Sequence, residues 1–157
     1  APAAEGLPIM KRHINNGLAK DTCSLGESIL EHMADAAIYA DDTGTIQRWN
    51  RAAAALFGYE PAEALGQSLD LIIPEHLRAA HWRGFEAAMT SGVIKLQGRP
   101  TLTRATHRTG RKLYVEMTFA LVKGIAGDAA RGAVAVARDV TDRIEQQRAD
   151  TRSDHTR

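Results

Sequence analysis

Residues 41–50 read DDTGTIQRWN. Gly44 stands between two short apolar-rich runs, AAIYADD and TIQRW, the pattern of two antiparallel strands joined by a glycine turn. Asn50 closes the second run and precedes RAAAALFG. Asparagine is favoured at a helix N-cap and glycine at the left-handed C-cap, so the hairpin feeds directly into an alanine-rich helix ending at Gly58.

Upstream, Ser24-Leu-Gly-Glu27 has capping-box spacing and is followed by Ile29, Leu30 and Met33, which predicts a short amphipathic helix over about 25–34. Residues 1–24, with sparse apolar positions, read as a flexible arm or linker. Downstream, PAEAL between Pro61 and Gly66 is a second short helix. The stretch PEHLRAAHWRGFEAAMTSG, from Pro74 to Gly92, carries a proline in its first turn and a glycine stop, and so predicts a longer helix. The pattern then changes to period two. VIKLQGRPTLTRAT (93–106), KLYVEMTFALV (112–122) and AVAVARDV (133–140) read as three antiparallel strands, with a turn at 107–110 and a loop at 124–132. A polar tail from Asp142, DRIEQQRADTR, reads as a C-terminal helix. The sum is an α+β domain over 25–141: one five-stranded antiparallel sheet, helices on one face, a flanking helix at each end, and a signalling helix or linker over 142–157.

Composition narrows the function. The 157 residues suffice for one core, and 20 basic against 19 acidic residues leave a formal charge of +1, so no footprint for nucleic acid or an anionic membrane is expected. The absence of a long apolar run and of a secretory leader pattern points to a cytoplasmic protein. The single cysteine, Cys23, allows no internal disulfide and no cysteine-based zinc site. No nucleophile motif, phosphate loop or dinucleotide glycine pattern is present, so an enzyme is not expected.

The ordered set of short motifs resembles the PAS family of sensory domains over about 25–148. It comprises D-x-x-G-x-I-x-x-W-N from Asp41, A-x-x-x-F-G-Y from Ala53, A-E-A-L-G-Q from Ala62, Ile-Pro-Glu from Ile73, Arg-Thr-Gly at 108–110 and R-D-V-T at 138–141. No cysteine lies between residues 50 and 75, where flavin photoreceptors of the family carry their reactive one. PEHLRAAHWRGF instead is similar to the long helix of haem-binding PAS sensors, the oxygen-sensing histidine kinases and a haem-regulated phosphodiesterase. There a histidine on this helix is the proximal iron ligand, and His81 matches it.

The residues read alone are compatible with that. At 100° per residue Leu77, His81, Gly84, Phe85 and Ala88 share one face, an apolar stripe with a single imidazole. Gly84 leaves room for a flat macrocycle one turn from His81. A lone histidine on an apolar helix face is also a common core residue. His76 lies 140° round the helix, so the two do not share a metal. Leu113, Val115, Met117, Phe119 and Leu121 alternate onto the inner sheet face.

The resemblance implies a haem b site with His81 as proximal ligand and Met117 as a second candidate for the iron. Leu77, Gly84, Phe85, Arg99, Leu102, Val115, Met117 and Phe119 are then its other contacts, Arg99 covering a bound gas or pairing a propionate. The expected function is sensing of O2, CO, NO or redox state, relayed to an output domain or partner signalling protein, with a homodimer formed through the flanking helices. The alternative is a cofactor-free module for dimerisation, protein interaction or small-metabolite binding.

Overall fold

The computed structural model describes residues 17–96, 98–124, 127 and 129–154. The opening stretch folds as its composition dictates. Strands β1 (Ala36–Asp41) and β2 (Ile46–Trp49) pair antiparallel, and Gly44 adopts φ 78° in the turn between them. Asp41 organises that turn: its Oδ1 accepts the backbone N–H groups of Thr43 at 3.0 Å and Thr45 at 3.1 Å, and its Oδ2 accepts from Gln47. These bonds favour the carboxylate, and the Asp41 pKa lies below its ordinary value, with the Thr43 hydroxyl as the first cause.

Asn50 is buried and spends its whole side chain on the fold. Its Oδ1 accepts from Ala53 N–H, capping α2 (Arg51–Phe57), and from Ala37 N–H in β1, each at 2.9 Å. Its Nδ2 donates to the carbonyls of Leu30 and Asp35. One residue thus ties the first helix, the first strand and α2 together, and no hydrogen-bonding group of the amide goes unpaired. Trp49 packs its ring 5.4 Å from that of Phe57 and donates its indole N–H to the Tyr59 carbonyl.

Helix α1 runs from Gly17 to His32, so it starts well before Ser24, the expected cap, which lies inside the helix. A Ser-x-x-Glu spacing marks a start only where the preceding backbone is not already helical. Residues 1–16 of the expected arm lie outside the described residues. After α2 come α3 (Pro61–Ala64), a single 3-10 turn (Leu69–Leu71) and α4 (Glu75–Ser91), the last closed by Gly92 at φ 67°.

The remaining strands are β3 (Thr101–Thr106), β4 (Lys112–Lys123) and β5 (Ala130–Asp139), followed by α5 (Thr141–Asp154). The sheet is antiparallel throughout, in the order β2-β1-β5-β4-β3. The strand expected from residue 93 begins only at Thr101. Gly98 at φ 71°, a turn in which Arg99 N–H reaches the Leu96 carbonyl, and Pro100 take the chain out of extended geometry before it. The packed core lies between the sheet and the α2–α3 segment, around Phe57, Ile46, Leu113 and Val115.

Candidate functional site

Helix α4 differs from the other elements that face the sheet: seventeen residues long, it has no fully buried side chain. Its first half is tied down. Arg78 donates to the carbonyls of Ile73 and Asp70 at 3.1 Å each, and the Trp82 indole N–H donates to Asp70 Oδ1 at 2.9 Å. The Trp82 ring also lies on Gly44, where a Cβ would collide with it. Trp82 therefore packs under the neighbouring hairpin turn and leaves the face of α4 that carries His81 free.

Held this way, α4 stands off the sheet and a cavity of about 340 Å³ remains beneath it. The floor is made of small residues of the two central strands, Ala40, Ala133 and Ala135, with Ile38 beside them. Met117 and Phe119 of β4, Thr101 and Thr103 of β3, and Leu77, His81 and Phe85 of α4 form the walls. At this size the cavity sits at the lower end of the roughly 300–1,000 Å³ typical of small-molecule sites.

Five of the residues singled out in the sequence meet here: Leu77, His81, Phe85, Met117 and Phe119. Four do not line it. Val115 is fully buried in the adjoining core, Gly84 is exposed on α4 with nothing within 4 Å of a Cβ built there, Arg99 is exposed in the loop before β3, and Leu102 is 52% exposed. The sequence reading missed Thr101, Thr103 and the alanine floor. The signal for the floor was present in AVAVA, where the residues sharing the inner face at period two are all alanine.

The His81 ring stacks on Phe85 with centroids 5.9 Å apart and meets Trp82 edge-on at 4.9 Å. Its Nδ1 is buried and has no hydrogen-bond partner. Burial pushes the imidazole below its ordinary pKa of 6.5, against the opposing pull of the Asp70 carboxylate. At neutral pH the ring is therefore uncharged, the form in which a histidine ligates a metal. An unsatisfied buried nitrogen costs free energy on the order of 1–3 kcal/mol, which a ligand or an ordered water would relieve. These features fit a planar apolar group bound through one imidazole: a neutral, uncommitted histidine facing an apolar chamber. Among the described residues no group of three or more His, Cys, Asp or Glu is arranged to hold a metal ion without such a cofactor.

A single antiparallel sheet with short helices on one face and an internal cavity under a longer helix defines the architecture of a sensory input domain. The family description "PAS fold" matches residues 30–145, and the chain belongs to the PAS family. It is similar to the sensor protein FixL of Bradyrhizobium diazoefficiens, 43% identical over 54 residues, which is 34% of this chain and 11% of FixL. It is also similar to the oxygen sensor protein DosP of Escherichia coli, 28% identical over 94 residues, 60% of this chain and 12% of DosP. The chain thus spans only about a tenth of the length of these two curated relatives. Among solved structures, the PAS domain of a Colwellia psychrerythraea protein superposes with a TM-score of 0.66 at 20% identity, covering 78% of this chain and 99% of that one. PAS domains are generally sensory modules rather than catalysts, and they commonly dimerise and pair with output domains. Among the described residues no helix is long and apolar enough to cross a membrane.

Proposed function

We propose that this PAS domain binds haem b through His81 and senses a diatomic gas or redox state for an output module. The observation that carries the reading is the buried, unpartnered Nδ1 of a neutral His81 on the wall of an apolar cavity. The likeness to two proteins named as sensors, one of them for oxygen, supports it. Bound there, haem b would supply an iron centre that responds to O2, CO, NO or oxidation. His81 would hold it, Leu77, Phe85 and Phe119 would exclude water, and Met117 offers a second soft donor on the same wall.

Strand β4 provides a route outward. Met117 faces the cavity, while the neighbouring Glu116 pairs with Arg143 of α5 at 3.1 Å on the other side of the sheet. Tyr114, two residues further along β4, receives the Val140 N–H on its carbonyl, donates its own N–H to Thr141 Oγ1, and accepts from Arg148 on its hydroxyl. A shift of β4 at Met117 therefore reaches the start of α5 through side chains of the same strand.

The test is reconstitution of the purified chain with haemin. A Soret band at about one haem per chain, lost in His81→Ala, is the expected result; a chain that refuses haemin rejects the reading. The second reading, a cofactor-free module for a metabolite or partner protein, draws on Leu25 and Ile29, which α1 leaves 58% and 59% exposed one turn apart. It predicts partner binding without any haem uptake.

A further inference from the structure

The chain treats the two edges of its sheet differently. At one end β2 is covered: Ile46 donates its N–H to the Gln67 carbonyl and receives the Gly66 N–H on its own carbonyl, each at 2.8 Å, and Thr45 bridges to Ser68. At the other end β3 has one such tie among the described residues, the Thr106 N–H on the Ile72 carbonyl at 2.9 Å.

The ladder with β4 tells which groups of β3 are left over. His107 N–H donates to the Arg111 carbonyl, and the register runs on with Thr106 opposite Lys112, Arg104 opposite Tyr114 and Leu102 opposite Glu116. Hydrogen-bonded and non-hydrogen-bonded pairs alternate in an antiparallel ladder. Ala105 and Thr103 therefore bond to β4, while Thr106, Arg104 and Leu102 turn N–H and C=O to the edge. Thr106 keeps this phase by meeting Ile72. The edge groups of Leu102 and Arg104 have no protein partner among the described residues.

The side chains of Leu102 and Arg104 lie on the outer face of the sheet. Met117 lines the cavity and pairs with Thr101, so the alternate positions Leu102, Arg104, Tyr114 and Glu116 face away from it. Leu102 is exposed there, and the Arg104 guanidinium rests over the Tyr114 ring at 5.8 Å.

An uncovered edge invites pairing with another chain, and charge is the usual guard against the wrong one. Between Glu86 and Glu116 the sequence has no acidic residue, but it has Lys95, Arg99, Arg104, Arg108, Arg111 and Lys112. A chain of formal charge +1 thus gathers a block of basic residues on and around one edge strand. Arg108 pairs with Glu63 at 2.7 Å; the other five have no carboxylate within 4 Å among the described residues. Such an edge repels a second copy of itself and admits a strand that carries acid.

We infer that the free edge of β3 docks an extended acidic segment of a partner polypeptide, which joins the five-stranded sheet as a further strand. An antiparallel arrival exchanges two hydrogen bonds with Arg104 and two with Leu102, and its side chains at those positions point to the outer face. Running opposite to β3, it meets Arg104 first. The matching pattern from N to C is therefore an acidic residue, any residue, then an apolar one: the acid pairs with Arg104 and the apolar side chain packs on Leu102. Backbone groups in strand register select a polypeptide over a nucleic acid, which would use the charges alone. The site lies outside the cavity and does not rest on the haem reading.

The test uses the full chain and a fluorescently labelled peptide, Ser-Thr-Glu-Thr-Val-Thr-Ser, followed by anisotropy. Methylating the backbone nitrogens of its Glu and Val removes the donors that face β3 and should weaken binding about tenfold, the scale of two hydrogen bonds. Methylating the Thr between them should change little. Lys in place of the peptide's Glu should weaken binding about threefold, and Arg104→Glu should reverse that preference. Bound peptide should also protect the Leu102 and Arg104 amides from hydrogen exchange. Leu102→Pro, which removes an edge N–H and no ladder bond, should weaken the peptide as well; if that variant is unfolded, the methylated peptides decide. No binding at about 1 mM peptide, equal effects of the two methylation patterns, or tighter binding of an oligouridylate than of the peptide overturns the inference.

Discussion

The Trp82 indole N–H and the Asp70 carboxylate meet at 2.9 Å across the gap between α4 and the 3-10 turn. Because Trp82 follows His81 directly, this bond fixes the rotation of α4 and with it the direction of the imidazole. The same carboxylate lies 3.7 Å from Arg78, and its charge acts on His81. Asp70 therefore joins the anchor of the helix to the electrostatics of the cavity. Trp82→Phe removes both the hydrogen bond and the far edge of the indole that covers Gly44, and it should cost at least about 1 kcal/mol in urea unfolding. Gly44→Ala should cost more, since it meets both the Trp82 ring and a positive φ.

His81→Ala should leave the far-UV circular dichroism spectrum in place and abolish stoichiometric haem uptake, because the core is held by Phe57, Ile46, Leu113 and Val115. His76, exposed on α4, is the control, and His76→Ala should bind haemin like the parent. Full haem occupancy in His81→Ala with an unchanged spectrum would move the proximal role elsewhere.

Stability of the haem-free chain should fall as the medium is acidified. His81 has a folded-state pKa below its ordinary 6.5, so between those two values the unfolded chain binds more protons than the folded one. Its contribution is fully present above about pH 6.5 and declines as pH drops toward the lowered value. Urea midpoints at neutral and mildly acidic pH, compared with those of His81→Leu, isolate this component: the variant should show a shallower decline across that window. An equal decline in both proteins would assign the effect to other groups.

Much of this arrangement is legible in the sequence because local rules decide it. The hairpin at Gly44, the Asn50 cap and the Gly92 stop each depend on one or two residues whose backbone or side-chain chemistry has few alternatives. Periodicity sorts Leu77, His81 and Phe85 onto one side of α4, and Met117 and Phe119 onto one side of β4, as the cavity lining shows. Periodicity does not say how far a helix stands from its sheet. Gly84 belongs to the same nominal stripe as His81, yet it is exposed, because the Trp82 and Arg78 anchors set the height and rotation of α4 from outside the helix. Residues 93–100 read as extended from their apolar content, although Gly98 and Pro100 carry the contrary signal.

Gly84→Ala follows from that exposure. The position is helical, with open space where a Cβ would lie. Replacing an exposed helix-interior glycine should stabilise the chain by roughly 0.5–1 kcal/mol. Haemin affinity should not change, since Gly84 does not line the cavity. A loss of haemin binding in a stabilised protein would instead mean that the helix approaches its ligand on this side.

The flanking helices should mediate self-association. Glu27 and Glu31 of α1 pair with Arg48 and Arg51, which turns that side of the helix toward β2 and α2. Leu25 and Ile29 are spaced one turn apart on another side, 58% and 59% exposed, and burying both against a second copy would remove on the order of 3 kcal/mol of hydrophobic cost per subunit. Helix α5 begins at the end of β5, and its docking on Tyr114 and Glu116 means that a dimer made through the flanks would be sensitive to movement of β4. Leu25→Glu with Ile29→Glu should therefore convert a dimer to a monomer in sedimentation velocity while leaving haemin uptake intact. A dimer that survives both substitutions, and also removal of the segments outside residues 35–141, would place the contact on the sheet.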